Sequence, residues 1–455
     1  MIDANAWAGF AMLAVALALL PIGFPVGFTL IGVSLLFAGA GILLGAFEPA
    51  FLSALPLRVI GLMDNDLLQA IPLFIYLGVI LERTAIAPEM LQALAALFGR
   101  RAGGLGIAVV LVGAVLAPTT GAVGASVLTL GLLGLPILLR GNYRKPLACG
   151  IVCSAGTLGT VLPPSIILIV LADLMRGANA QAQQLRGETV SGAIVITDIY
   201  KGVLIPVALV VLLYLLALML IARRHPQWCP PMQAQRPPWR RLALQLGIPL
   251  GFIVGLLIAI VTGVLYTVEA AAMGAVAATL YAALRGRLDR QRLAETVRNV
   301  MRLTSMIFLL LIGASTFSLI FRGFGSDAGV HALIVRLGSP VLATASVFAV
   351  MFTLGFFLDA LEIVSLVVPL AMPSLLALGA DPIWLAVLAA LTVQTSFLMP
   401  PAGFALFFMR SVAPPDVAMT DIYRGVLPFL AIQLVVLALL WAWPPLALWL
   451  PGALH

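Results

Sequence analysis

Apolar residues in this chain run in blocks of about 20, parted by short polar stretches, which is the length a helix needs to cross a bilayer. Such blocks predict spans near residues 7–20, 26–44, 67–81, 147–171, 200–222, 244–260, 267–284, 303–320, 384–408 and 426–449. Two longer apolar stretches differ from these. Residues 105–139 are interrupted by Ala117-Pro-Thr-Thr-Gly-Ala-Val-Gly124, and residues 341–378 by Gly355-Phe-Phe-Leu-Asp-Ala-Leu-Glu362. Each reads as two spans with a tight turn or as a re-entrant hairpin whose tip stops at mid-membrane.

Two proline pairs sharpen the pattern. Pro163-Pro164 and Pro400-Pro401 each fall inside a block long enough to span. A proline pair removes two backbone donors and breaks the helix. At membrane depth such a break persists only where it lines a protein-buried or watered cavity. The pairs lie 237 residues apart, and each is followed by a near-copy: Thr197-Asp-Ile-Tyr-Lys-Gly-Val-Leu204 and Thr420-Asp-Ile-Tyr-Arg-Gly-Val-Leu427, 223 residues apart. The chain is therefore read as two related halves, the first carrying 14 extra residues placed within 176–191. Matching broken helices in two halves are the best sequence pointer to the binding site of a secondary transporter.

Composition agrees. Residues of the AVILMFWYC set make up 62% of the 455 and charged residues only 9%, against roughly a quarter charged in soluble domains. The expected class is an all-α polytopic membrane protein, embedded in the lipid bilayer with no visible soluble domain. The organisation reads as scaffold helices over 1–56, a first repeat over 57–222, loops and linking scaffold helices over 223–300 and a second repeat over 301–455. The first apolar run reads as a retained span, not a signal peptide. The net charge of +7 is no nucleic-acid signal, because the basic residues sit between spans. One set of loops holds 19 Lys/Arg and the other 6; the richer side is assigned to the cytoplasm. On that count the first hairpin enters from the cytoplasm and the second from outside, so the two repeats are inverted. Three cysteines give no disulfide framework, and three histidines no metal spacing.

Catalysis is not expected: the chain has no His-Glu-x-x-His, P-loop or Gly-x-Ser-x-Gly motif. Polarity gathers instead at the hairpin tips and breaks. In the first half stand Thr119, Thr120, Gly121, Ser126, Ser154, Gly156, Thr157, Gly159 and Thr160; in the second, Asp359, Glu362, Ser365, Thr392, Gln394, Thr395 and Ser396. Hydroxyls and freed carbonyls suit a hard cation such as Na⁺, so Thr119, Thr120, Gly156, Thr157, Asp359, Glu362, Thr395 and Ser396 are the candidate ion-site residues. Small residues that only let helices pack closely are the plainer reading. For Asp359 or Glu362 the plainer reading is a helix cap, and for Glu269 a cap or scaffold contact is favoured. Lys201 and Arg424 are expected to snorkel. With no arginine in the central motifs, a substrate carboxylate is expected at half-helix N-termini, and Ser165 and Gly403, just past the two breaks, are the candidate substrate-binding positions.

Ala70-Ile-Pro-Leu-Phe74, Gly156-Thr-Leu-Gly159 followed by Leu162-Pro-Pro-Ser165, Glu269-Ala-Ala-Ala272, Gly355-Phe-Phe-Leu-Asp359 and Met399-Pro-Pro-Ala-Gly403 together resemble the large membrane subunit of TRAP (tripartite ATP-independent periplasmic) transporters. The resemblance covers nearly the whole chain. It implies the ion-transporter fold group, with inverted repeats and an elevator motion. It implies Na⁺-coupled uptake of small organic acids across a bacterial or archaeal inner membrane. It also implies two partners: a small four-helix membrane subunit and a periplasmic substrate-binding protein. Where family members show a Ser-Gly-Ser type tip, this chain has Thr119-Thr120-Gly121. Its loop before Thr197 looks long, as in members assigned to mannitol or chloroaromatic compounds. The first span at residue 7 is read as leaving the small subunit unfused. The alternative is a stand-alone ion-coupled dicarboxylate or anion carrier of the same fold group; a channel or scaffold stands third. Neighbouring genes for a four-span protein and a binding protein separate the first two, and concentrative uptake excludes the third.

Overall fold

A computed structural model of the chain describes residues 5–84, 86–120, 123–189, 194–232, 238 and 242–454. They are helical, with no strand among the described residues. The first group is α1 (Ala6–Leu19), α2 (Val26–Leu43), α3 (Leu55–Met63), α4 (Ala70–Arg83) and α5 (Ile86–Phe98). The first hairpin is α6 (Gly104–Thr120) and α7 (Val123–Arg140). The first broken helix is α8 (Lys145–Thr157), a 3₁₀ turn (Leu158–Thr160) and α9 (Ile166–Leu185), followed by α10 (Ile196–Arg224). The linking helices are α11 (Ile248–Val261), α12 (Thr267–Leu284), α13 (Arg290–Gly323) and α14 (Ser326–Arg336). The second hairpin is α15 (Pro340–Leu354) and α16 (Ala360–Ala377). The second broken helix is α17 (Pro382–Ser396) and α18 (Phe404–Val412), followed by α19 (Met419–Ala442) and α20 (Pro445–Ala453).

Eight helices are long and apolar enough to cross a membrane among the described residues, and the chain is a multi-pass membrane protein. Leu43, Val276 and Leu284 stand 88, 68 and 79% exposed. Apolar side chains so placed are at home in lipid or under a partner helix, not in water. The hairpin arm α16 is different: 78% of its span is buried inside the protein, against 28% for α10. Its other arm, α15, has 15 residues, about 22 Å of helix, which is short of the roughly 30 Å hydrocarbon core.

Three differences from the predicted elements have physical causes. α13 is 34 residues long, not 18, because Asp289 accepts from the Arg292 amide at 2.7 Å and starts the helix well before the apolar block. Most of the extra residues of the first half do not make a loop. They continue α9, which has 20 residues against 9 in α18; alanines and glutamines are good helix formers, and residues 190–193 lie outside the described residues. Lys201 does not snorkel: it is buried, 3.7 Å from Asp198, and it donates to the Leu454 carbonyl at 3.4 Å. Arg424 is exposed, as expected.

Equivalent positions of the two copies meet equivalent partners. Gly425 of the second copy lies on α8, where an added Cβ would sit 1.8 Å from the Pro146 carbonyl oxygen. Gly202, its match in the first copy, lies on α17, where an added Cβ would sit 2.8 Å from Ile383 and 3.2 Å from Val387. Ile383 and Val387 are the 237-residue matches of Pro146 and Gly150. The start of α10 faces the chain end at Ala447, while its last turn, at Ile221, shares a cavity with Asp421 and Arg424 at the start of α19. The two matched helices thus run antiparallel, and Gln433 donates to the Tyr214 hydroxyl where they cross, at 2.7 Å. The linker after α10 straps the basic ends together. Gly103 donates to Cys229, Arg144 to Trp228 and Met232 to Gly99, and the Arg144 guanidinium stacks 4.8 Å from the Trp228 ring. On the same face Lys145 lies 2.8 Å from the Asp416 carboxylate, and its hydrogen bond holds that carboxyl below the ordinary aspartate range.

Candidate functional site

The first break is built from small residues and hydroxyls. α8 stops at Thr157, the chain tightens into a 3₁₀ turn, and Pro163-Pro164 supplies no donor to the carbonyls one turn back. Every hydroxyl here bonds along its own chain. Ser154 donates to Gly150 at 2.7 Å, Thr157 to Ser154 at 3.0 Å, Thr160 to Thr157 at 2.9 Å and Ser165 to Thr160 at 3.1 Å. A hydroxyl whose proton points at a carbonyl turns its lone pairs elsewhere, which is the orientation a cation ligand needs. Ser165 takes the N-cap position of α9, with its side chain turned back into the break.

The second break repeats this with other side chains. Thr395 donates to Leu391 and Ser396 to Val393, each at 2.6 Å. Past Pro400-Pro401 the chain is closed by Gly403 donating to Met399 at 2.8 Å and Ala405 to Phe397 at 3.2 Å. Gly403 is the N-cap of α18, and an added Cβ there would lie 2.4 Å from the Phe397 oxygen. The peptide bond inside each proline pair is cis. Gln394 is fully buried, and neither polar atom of its amide has a partner among the described residues. A buried amide left unpaired costs roughly 1–3 kcal/mol, so this is a place where a polar ligand would be stabilised.

Each break touches its own hairpin. A Cβ on Gly156 would lie 2.6 Å from Val127 of α7, and one on Gly355 would lie 1.8 Å from Ser396 Oγ. The hairpin arms also cross between halves. α7 packs on α18, with Gly124 against the Phe408 ring, and α16 packs on α9. α17 touches the 3₁₀ turn of the first break, so the two breaks lie side by side.

The structure thus brings Gly156, Thr157, Ser396 and the Gly355 tip to the two breaks, with Thr395 beside them. Thr119 and Thr120 end α6; their side chains, and Gly121, lie outside the described residues. Asp359 is the N-cap of α16, and the Glu362 carboxylate accepts from the Asp359 amide at 2.9 Å. Glu362 therefore does the capping that its spacing allowed, and one Asp359 carboxylate oxygen stays buried without a partner. Glu269 caps α12 in the same manner, through the Tyr266 amide at 2.9 Å. Among the described residues no group of three His, Cys, Asp or Glu could hold a metal ion. Sequence reasoning missed a polar cavity between α3, α9, α13 and α16, lined by Arg58, Asp173 and Arg322. Its residues are far apart in the chain, and no spacing pattern links them.

The model of the family described as "Tripartite ATP-independent periplasmic transporter, DctM component" matches residues 13–446. The chain belongs to the TRAP transporter large permease family. It is 28% identical to the C4-dicarboxylate TRAP transporter large permease protein DctM of Pseudomonas aeruginosa, over 89% of this chain and 91% of that protein. It is 26% identical to the sialic acid TRAP transporter large permease protein SiaM of Vibrio cholerae, over 96% of each. The ectoine TRAP transporter large permease protein TeaC of Halomonas elongata is 24% identical, over 96% of this chain and 98% of that protein. Among solved structures, the YdaH transporter of Alcanivorax borkumensis has the same fold at TM-score 0.64 and 15% identity, covering 96% of this chain and 98% of that one. TRAP large permeases are transporters and not enzymes.

Proposed function

We propose that this permease is a Na⁺-coupled secondary importer of small organic acids in a bacterial inner membrane. It receives substrate from a periplasmic binding protein and docks a small four-helix membrane subunit. The two halves act as inverted repeats, with hairpins and broken helices moving as an elevator against a scaffold of the remaining helices. The observation that carries this reading is the pair of adjacent breaks. Each has buried hydroxyls at its mouth, Thr157, Thr160 and Ser165 in the first and Thr395 and Ser396 in the second, and each is packed on its own hairpin. The antiparallel matched helices α10 and α19 support the inversion. Broken helices suit this chemistry because freed carbonyls coordinate cations while half-helix N-termini favour anionic groups. The substrate is read as an acid because relatives named for C4-dicarboxylates and sialic acid span nearly the whole chain.

Reconstituted with its two partners and given an inward Na⁺ gradient, the permease accumulates substrate without ATP. Equal uptake with choline replacing Na⁺ sinks the coupling; uptake by the permease alone, without the binding protein, favours the stand-alone carrier.

A further inference from the structure

We propose that Arg58 and Arg322 form a binding site for a small organic carboxylate, between scaffold and hairpin, on the face that the Lys/Arg distribution assigns to the outside. This rests on the permease reading above and adds a second anion position to it, away from the breaks.

The site is a cavity of about 260 Å³. Arg58 enters from α3, Arg322, Ser315 and Ser318 from α13, Asp173 from α9, and Ser365 from α16. Neither arginine has an ion pair within 4 Å among the described residues. Arg58 donates only a long bond, 3.5 Å, to the Ser315 carbonyl, and Arg322 donates to the Gln181 side-chain oxygen. These acceptors are neutral, so they satisfy donors without balancing charge. Arg322 Nε and Ser365 Oγ are both buried and have no partner among the described residues. The carboxylate of Asp173 is already engaged by Asn65 at 2.6 Å. Asp327 near Arg322 and Arg176 near Asp173 add one charge of each sign, so the surroundings keep a net positive charge. Spare guanidinium and hydroxyl donors around a space this size match a carboxylate, which accepts several bonds at once. Asp173, on the cavity wall, suits a ligand hydroxyl. Because the walls come from both a linking helix and a hairpin arm, occupancy is sensitive to any sliding between them.

The test reads local anion preference and needs no knowledge of the transported substrate. Ser315→Cys places a thiol on the cavity wall. The full chain in proteoliposomes is labelled from outside with the anionic sulfonatoethyl and the cationic trimethylammonium-ethyl methanethiosulfonates. The native Cys149, Cys153 and Cys229 are buried, and the unsubstituted chain gives the background. The anionic reagent is expected to react faster, and Arg58→Gln with Arg322→Gln to lower the anionic-to-cationic rate ratio about tenfold. Lysine at both positions should largely restore it. In the arginine background, acetate, lactate and succinate should slow labelling, while acetamide and chloride should not. This arm holds even if the glutamine variants do not fold. A ratio indifferent to the arginines, or protection by chloride equal to that by carboxylates, overturns the site. Loss of the site with acid uptake intact leaves the permease reading standing; anion-selective labelling without acid uptake defeats that reading and not the site.

Discussion

The two broken helices share a proline pair and differ in almost everything around it. The first follows a 13-residue helix, tightens through a 3₁₀ turn and leads into 20 residues of α9. Its polar groups are hydroxyls, all bonded within their own segment. The second follows 15 residues, closes through backbone bonds and leads into only 9 residues of α18. It adds an unpaired buried amide, Gln394, and the second arm of its hairpin starts with two carboxylates, Asp359 and Glu362. The prolines therefore set where the helix breaks, and the neighbours set what the break can hold. The first offers neutral oxygens alone; the second has carboxylates on the hairpin tip that packs against it.

The largest expected effect concerns how the copies interlock. Gly425 meets backbone on α8, with the Pro146 oxygen at 1.8 Å, whereas Gly202 meets side-chain methyls on α17 that can give way and a backbone oxygen, that of Ala447, only at 3.1 Å. Gly425→Ala should destabilise by about 3 kcal/mol and Gly202→Ala by about 1 kcal/mol, read as thermal unfolding in detergent. Equal losses would show that the two crossings are packed alike. Next in size is the contact of the second tip with its break. Gly355→Ala drives a methyl into Ser396 and should cost about 2 kcal/mol. Ser396→Gly should recover at least 1 kcal/mol of that if the two residues act as a pair.

These pairings also mark what was legible in the sequence. The prolines, the Thr-Asp-Ile-Tyr copies and the interrupted apolar stretches were visible because they are local and repeated. Hence the breaks, the hairpins and their family were readable before any coordinates. The crossing of α7 onto α18 was not, since packing between distant helices leaves no spacing to count. Lys201 illustrates the limit: next to an apolar block it reads as snorkelling, and only the approach of the Leu454 carbonyl shows it buried. Thr157 and Thr395 lie between these cases: the neighbouring prolines place both at the breaks in the sequence, and the structure buries both there. Thr157→Val and Thr395→Val each keep volume and remove one oxygen. Each should raise the Na⁺ concentration for half-maximal uptake about tenfold, or ~1.4 kcal/mol. An unchanged Na⁺ dependence in both would leave the carbonyls as the ligands.

The smallest effect is the most discriminating, because it separates the two breaks by charge. Glu362 has one oxygen committed to the Asp359 amide. Glu362→Gln keeps an acceptor for the cap, so stability should fall by less than about 1 kcal/mol. It removes a carboxylate from the hairpin tip whose Gly355 meets Ser396, so the Na⁺ concentration for half-maximal uptake should rise about threefold, ~0.6 kcal/mol. No carboxylate stands at the corresponding first tip, where Thr119 and Thr120 occupy the chain, so Thr119→Val there should act by losing an oxygen and not a charge. Glu362 is half-buried, where salt screens a charge only weakly. Both defects should therefore persist when choline chloride is raised at fixed Na⁺, and size tells them apart: about threefold for Glu362→Gln against about tenfold for Thr395→Val. If Glu362→Gln lowers the unfolding temperature without moving the Na⁺ dependence at any salt concentration, the residue is a cap alone, and the proposal for the second break then rests, as for the first, on neutral oxygens.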